Sequence, residues 1–345
     1  KDGKIINRTD GIAQLGGAAH DTEECYLLSK FARALGIYWI DHQARLCHSS
    51  TVAALAASFG RGAMTNHFND LENSDVIMVM GSNIVECHPM AAKWIMKAKE
   101  KGAKVISSDP RFTRTSSIAD VYTNFRSGTD IAYVGGMINY AIQNDRIQKN
   151  YLLNCTNASF LINDKYGFDD GLFAGYNSEK RNYNKDLWKY ELDAEGNPKR
   201  DKTLQDPRCV FQLMKKHYER YDVDKVCDIT GTQKDKYLEV CDLFTSTYKE
   251  DKSATWCYAM GATQHTVGTQ YIRTYAVLQL ILGNIGIAGG GINALRGESN
   301  VQASCEMAFL FHIFPTTSFN FILQSSQKIT SELKSPSHVT YSLIT

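Results

Sequence analysis

The stretch DVIMVMGSN, Asp75 to Asn83, sets five consecutive apolar residues between an aspartate and a Gly-Ser-Asn turn. A strand with one wet face would alternate; an unbroken apolar run ending in a turn reads as a strand buried on both faces, as in a parallel sheet. Outward from it, Pro89 to Lys101 has the spacing of an amphipathic helix, and KVISSDP (Lys104 to Pro110) reads as the next strand. The same strand–helix–strand order occurs earlier. IAQLGG (Ile12 to Gly17) reads as a strand, Asp21 caps a helix through Leu35, Gly36 closes it, and IYWID (Ile37 to Asp41) reads as a strand. Further on come helical patterns at Cys209 to Tyr221 and Lys234 to Tyr248, a strand SATWCYAMG (Ser253 to Gly261), the loop ATQHTVG and a helix from Thr269 to Leu282. Phe168 to Pro207 is rich in Tyr, Lys, Asp and Asn and reads as an ordered insertion. The expected class is α/β, doubly wound, with mostly parallel sheets.

The chain has 345 residues, 43% hydrophobic and 22% charged. That is enough for two cores. Its 38 basic and 37 acidic side chains nearly cancel, which argues against an electrostatic nucleic-acid or membrane-surface binder. No apolar run reaches the roughly 20 residues that span a bilayer, since Gln279, Asn284 and several glycines interrupt Ala276 to Ile292. Nine cysteines, an odd number without CxxC spacing, do not suggest a disulfide framework.

Gly81, Ser82 and Asn83 fall at the carboxyl end of a strand and before a helix, where α/β folds bind phosphates and nucleotides; a tight turn wants the same residues. Asp109 ends the next strand, where a carboxylate accepts hydrogen bonds from a ribose or a guanine edge, or caps a helix. RSGTD (Arg126 to Asp130) is a glycine turn with an acidic cap. Gln264 and His265 follow a strand, at the same ligand-binding edge. Arg273 stands among Tyr271, Ile272 and Tyr275, where a guanidinium is costly unless it meets an anion. Gly283 to Gln302 is expected to be too glycine-dense for regular structure.

In QARLCHSSTVAALAASFG (Gln43 to Gly60), Ser49, Ser50 and Thr51 are capping residue types and Val52 to Ser58 is rich in Ala and Leu. Cys47 and His48 are therefore expected just before a helix N-terminus, whose partial positive charge, with a neighbouring imidazolium, favours the thiolate. A thiolate is a nucleophile or a soft metal ligand; a buried structural cysteine beside a surface histidine is the plainer alternative.

Taken in order, RLCHSSTVAALAASFGRGAMTNHFND, MGSNIVECHPM, SSDPRFTRTSSIAD, FRSGTDIA, MGATQHTVGTQYIRT and GNIGIAGGGINALRGESNVQ resemble the catalytic subunit of molybdenum- or tungsten-dependent formate dehydrogenases, over about Ile12 to Phe314. The insertion GLFAGYNSEKRNYNKDLWKYELDAEGNPKRDKTLQDPRCV resembles the respiratory, membrane-associated branch, which faces the periplasm. The resemblance implies that Cys47 ligates the metal, at a position held in the family by selenocysteine or cysteine. It implies that His48 is the catalytic histidine and Arg273 the arginine that holds formate. Gly81, Ser82, Asn83, His88, Asp109, Arg111, Gly128 and Asp130 would bind one guanine dinucleotide arm of the paired pterin. Met260, Gly261, Gln264, His265, Asn293 and Arg296 would line its other parts.

The implied cofactor is bis-molybdopterin guanine dinucleotide with molybdenum or tungsten. A 4Fe-4S cluster belongs to the full-length enzyme, and its ligands are absent from this chain. The implied partners are formate, an iron-sulfur electron-transfer subunit and a membrane cytochrome subunit. Residues 1–43 would begin a discontinuous α/β domain, 44–275 form an inserted α/β domain, 276–315 return to the first, and 316–345 form a Ser/Thr-rich tail. On that reading the 345 residues are a fragment without an N-terminal cluster domain or a C-terminal domain, exposing apolar faces near Ile12 and Ile37, and do not oxidise formate alone. Two other classes stand beside it: a non-catalytic remnant, or another molybdopterin oxidoreductase, and a thiol hydrolase using Cys47 with a distant histidine. Metal and pterin content separates them.

Overall fold

The computed structural model of the protein describes residues 3, 8–169 and 171–309. Strand β1 (Thr9–Gly16) pairs in parallel with β2 (Ile37–His42) across helix α1 (Thr22–Ala34). Asp21 opens α1, its backbone N–H donating to Glu24 Oε2 at 3.0 Å, and Gly36, at φ +72°, follows its end. As expected from the sequence, this small unit shows apolar side chains to solvent, including Ile12, Tyr38, Trp39 and Leu15, the last 83% exposed.

Helices α2 (Ala44–Cys47) and α3 (Ser49–Phe59) meet at His48. The expected arrangement is thus corrected: Cys47 closes a one-turn helix, and His48, not a serine or threonine, is the junction that opens α3. Gly60, at φ +80°, ends α3.

Next come β3 (Val76–Met80), α4 (Ile84–Cys87), α5 (Pro89–Glu100), β4 (Lys104–Ser108), α6 (Arg114–Ile118), β5 (Val121–Thr123), α7 (Asp130–Gln143) and α8 (Lys149–Cys155). The insertion folds into two small antiparallel hairpins, β6 (Phe168–Asp169) with β7 (Leu172–Phe173) and β8 (Tyr176–Asn177) with β9 (Asn182–Tyr183). Then follow α9 (Val210–Tyr218), α10 (Val223–Thr230), α11 (Lys234–Thr245), β10 (Ala254–Tyr258), α12 (Met260–Thr263), α13 (Gly268–Leu282), β11 (Gly291–Ala294) and α14 (Val301–Ser304).

Five strands form one all-parallel sheet in the order β11-β10-β3-β4-β5. The unbroken apolar run of β3 is explained by its two faces. Val76, Met78 and Met80 join the core with Tyr133 and Met137 of α7 and Tyr275 of α13, while Ile77 and Val79 pack with Ala91, Ile95 and Ala98 of α5. Helices therefore cover both faces, the doubly wound arrangement.

Two expectations change. The glycine-dense stretch after Gly283 does contain regular structure, because Gln279 ties β11 to β10 by donating from Nε2 to Ala254 O (2.8 Å) and Gly291 O (2.7 Å). The segment expected to return to the first unit at residue 276 accordingly stays with the five-stranded sheet through Ala294. It meets the first unit from Asn300, whose backbone N–H donates to Ala18 O at 2.9 Å and whose Nδ2 donates to His20 O at 2.7 Å. The Ser/Thr-rich tail over 316–345, with 310–315, lies outside the described residues.

Candidate active site

From β3 the chain steps outward through β4 and β5, and from β10 it steps the other way to β11, so a crevice opens at the carboxyl ends of β3 and β10. Two glycines line it back to back. Gly81 has φ +65°, and a Cβ there would lie 2.8 Å from Ala262 N; one on Gly261 would lie 2.7 Å from Gly81 Cα. Gly261 N–H donates to Gly81 O at 3.1 Å. Only glycine permits this approach, which presents bare backbone to the crevice.

Cys47 reaches the same edge from α2. Its thiol lies 3.1 Å from Met260 Sδ, at the start of α12, and Gln264 Nε2 approaches its sulfur at 3.9 Å. Behind it Thr51 and Thr263 share a hydroxyl hydrogen bond of 2.7 Å, and Tyr258 OH donates to Thr51 Oγ1 at 3.2 Å. These hydroxyls fasten the first turn of α3 to α12 and β10. Arg296 follows β11, with Nη2 donating to Gly62 O at 2.6 Å.

The electrostatics differ from the sequence reading. Burial, then the Glu298 carboxylate, push the Cys47 thiol above its ordinary value, against Arg296 and Gln264, which favour the thiolate. Burial first, then Arg296 and His42, pull His48 down to about 3, so its imidazole is neutral. No imidazolium therefore stands beside the thiol, and the protein leaves the sulfur protonated until a cation meets it.

Among the described residues, seven buried side-chain polar atoms have no hydrogen-bond partner: His48 Nε2, Ser82 Oγ, His88 Nδ1, Ser159 Oγ, Trp256 Nε1, Asn293 Oδ1 and Arg296 Nε. Five of the seven, all but those of Ser159 and Trp256, belong to residues at the carboxyl edge. Buried donors and acceptors are normally paired, so this concentration is the signature of a ligand rich in hydrogen-bonding groups.

Asp109 and Asp130 extend the edge beyond β4 and at the start of α7. Asp109 Oδ1 accepts Arg111 N–H at 2.9 Å, and burial raises its pKa. Asp130 Oδ1 accepts Tyr275 OH at 3.0 Å; burial raises its pKa against that bond and against nearby His265. Gly128, at φ +88°, turns the chain beside Tyr271. His265 Nε2 meets Gly261 O at 2.8 Å. Asn83 accepts Thr115 Oγ1 at 3.0 Å and so joins the β3 turn to α6. Asn293 Nδ2 donates to Asn66 Oδ1 at 3.1 Å. The Arg111 side chain is exposed.

Arg273 does not join this group. Its Nη1 donates to Ser58 Oγ at 2.9 Å, in the last turn of α3, eleven residues past Cys47 and so roughly 16 Å along the helix. The cause is the pairing of α3 with α13. Gly268 packs on Ser50, where a Cβ would lie 3.0 Å from Ser50 Oγ, and the next five residues carry Arg273 away from the thiol. The guanidinium beside Cys47 and His48 is that of Arg296. Gly62, which holds it, and Glu298 were not singled out in the sequence; the one cue to Gly62 is a second glycine just past the helix-ending Gly60.

Acetylene hydratase from Pelobacter acetylenicus shares the fold, with TM-score 0.56 at 20% identity, over 81% of this chain and 30% of that structure. The chain is 57% identical over 313 residues to formate dehydrogenase subunit alpha of Megalodesulfovibrio gigas. It is 51% identical over 313 residues to formate dehydrogenase 2 subunit alpha (cytochrome c-553) of Nitratidesulfovibrio vulgaris. Each alignment takes in 91% of this chain, which spans 31% of either relative. The sequence profile of the molybdopterin oxidoreductases matches residues 6–344. With a parallel-sheet crevice whose unpaired polar atoms suit a pterin, and a profile match over nearly its whole length, the chain belongs to the molybdopterin oxidoreductase family.

Proposed function

We propose that this chain is the core of an enzyme oxidising formate to carbon dioxide at a molybdenum or tungsten bis-pterin guanine dinucleotide centre. One observation carries the reading: a thiol, a neutral histidine and a guanidinium with an unpaired Nε converge at the carboxyl edge. The names of the relatives support it. The pterin's polar edges would be held by Ser82, His88, Asn293, Asp109 and Asp130, and its phosphates by the bare backbone around Gly81 and Gly261. When bound, the cofactor supplies a soft metal ion that accepts two electrons.

The chain's own residues do the rest. Cys47 offers a sulfur ligand once a cation lowers its pKa. Arg296 binds the formate carboxylate through charge-assisted hydrogen bonds and orients its C–H bond. Formate loses two electrons and a proton on becoming carbon dioxide, and neutral His48, with Nε2 free, is placed to take the proton. Met260 packs against the sulfur and limits water there. This assigns to Arg296 the anion-holding role that the sequence pointed to at Arg273. Departure of electrons through an iron-sulfur cluster to an electron-transfer subunit is part of the same reading, supported by the cytochrome c-553 in the name of one relative. So is a periplasmic location, which rests on the insertion between Gly171 and Val210.

The test uses the full-length holoenzyme carrying this chain and formate-dependent dye reduction. Arg296→Lys is expected to lower kcat/KM about 100-fold, because a point charge replaces a planar fork, while Arg273→Lys changes it less than about threefold in properly folded protein. The opposite ranking would sink the assignment. Elemental analysis decides between molybdenum and tungsten.

A further inference from the structure

Arg296 is one of four non-glycine residues with a left-handed backbone among the described residues, at φ +64°. Such a conformation is held by its surroundings. Leu295 N–H donates to Tyr258 O at 2.9 Å, continuing the strand pairing one step past β11, and at Arg296 the chain turns away. The side chain is caught on the other side by Gly62 O, 2.6 Å from Nη2.

Gly62 can make that contact only because it has no side chain. It lies on the flank of α3, where a Cβ would fall 2.6 Å from Val52 Cα and 2.8 Å from Val52 Cγ1. The turn around it is fixed at both ends. Gly60 N–H donates to Ala56 O at 2.8 Å, and Arg61 pairs with Glu306 at 2.7 Å. With Nη2 tethered, the guanidinium plane is set and Nε–H is left as a free buried donor.

We propose that Gly62 is a positioning residue for anion binding: its carbonyl, pressed against α3, fixes the Arg296 guanidinium so that its unpaired N–H groups meet a planar anion. This inference rests on the reading of Arg296 as the group that holds formate. It predicts that the anion's affinity depends on a residue that does not touch it.

The experiment measures, in the holoenzyme, the KM and kcat for formate and the inhibition constant of nitrate, a planar anion. Metal and pterin content and calorimetric nitrate binding are followed alongside. Gly62→Ala is expected to raise the formate KM and the nitrate constant together by about tenfold, with kcat within about threefold and full cofactor loading. Combined with Arg296→Lys it should add little to the effect of that change alone, since both remove one interaction. An unchanged KM and nitrate affinity in loaded Gly62→Ala, or simple additivity, overturns the proposal. If Arg296→Lys itself leaves KM unchanged, the reading of Arg296 falls and this inference with it; if only Gly62→Ala is silent, this inference alone falls. Should Gly62→Ala fail to load cofactor, Arg61→Ala decides: it frees the same turn from Glu306 without entering the core. A two- to threefold higher KM there supports the role, and an unchanged one refutes it.

Discussion

The two ends of the five-stranded sheet are built by opposite rules. At the amino end every buried polar group is spoken for. Ser74 Oγ donates to Gly289 O (2.6 Å), Asp75 Oδ2 accepts Ser253 N–H (2.9 Å), and Thr255 Oγ1 also donates to Gly289 O (2.8 Å). Asn284 sits at the centre of this network. Its Oδ1 accepts Ala254 N–H (3.1 Å), and its Nδ2 donates to Thr247 Oγ1 (3.0 Å) and Gln279 Oε1 (2.9 Å). At the carboxyl end, Ser82, His88, Asn293, His48 and Arg296 each keep a buried atom without a partner. Both ends use close-packed glycines, Gly289 at one and Gly81 with Gly261 at the other, so tight packing does not distinguish them. Polar satisfaction does. One end is complete within the protein, and the other is complete only around a ligand.

The largest effect that would sharpen this contrast is expected at the amino end. Asn284→Ala removes three hydrogen bonds and leaves the Ala254 N–H and the Gln279 carbonyl oxygen buried without partners. The expected cost is about 4 kcal/mol of unfolding free energy by urea denaturation, the same with or without cofactor. A loss under about 1 kcal/mol would show that the amino end is not the closed network described.

A smaller effect concerns pH. Burial pulls the pKa of His88 below the ordinary histidine value, against the carbonyls of Leu295 and Arg296, which favour the imidazolium. The folded chain therefore binds this proton less readily than the unfolded one. Stability from this group is fully present above the ordinary histidine pKa and is lost as pH falls from there toward the lowered folded value, at up to about 1.4 kcal/mol per pH unit. In the cofactor-free chain, the wild type should lose about 1 kcal/mol more than His88→Gln between roughly pH 7 and pH 5, allowing for solvent screening. Parallel stability curves for the two would contradict the buried, neutral state of His88.

How much of this was legible in the sequence follows from what a one-dimensional pattern can encode. Strand β3 was legible because burial on both faces leaves an unbroken apolar run. The cap at Asp21 and the turn at Gly36 were legible because local chemistry dictates them. The crevice residues Gly81, Gly261 and Asp109 were found because strand ends carry ligand sites in α/β sheets. The choice between two arginines was not legible. Arg273 and Arg296 both look like guanidiniums in need of an anion, and which one meets the thiol depends on α13 running alongside α3, a tertiary fact. Strand β11 was hidden by its glycines, since its pairing is enforced by Gln279 rather than by its own propensity. The thiol's protonation was misjudged because a nearby helix end was weighed without the desolvation that outweighs it.

The smallest expected effect on stability is the one that tests the comparison most directly. Ser82 Oγ is buried at the carboxyl edge and bonds nothing, so the folded protein bears its desolvation without a compensating contact. Ser82→Ala removes the hydroxyl and leaves the backbone turn intact. In the cofactor-free chain the unfolding free energy should therefore change by less than about 0.5 kcal/mol, or rise slightly, where the same kind of truncation at the amino end is costly. In the full-length holoenzyme the sign reverses: the variant should release its pterin faster on dilution, followed by the fluorescence of the oxidised pterin, because the hydroxyl then has lost a partner. Equal cost in both states would mean that Ser82 is an ordinary structural serine. Retention of cofactor at the wild-type rate would mean that the carboxyl edge is unsatisfied for some reason other than the ligand it is read to hold.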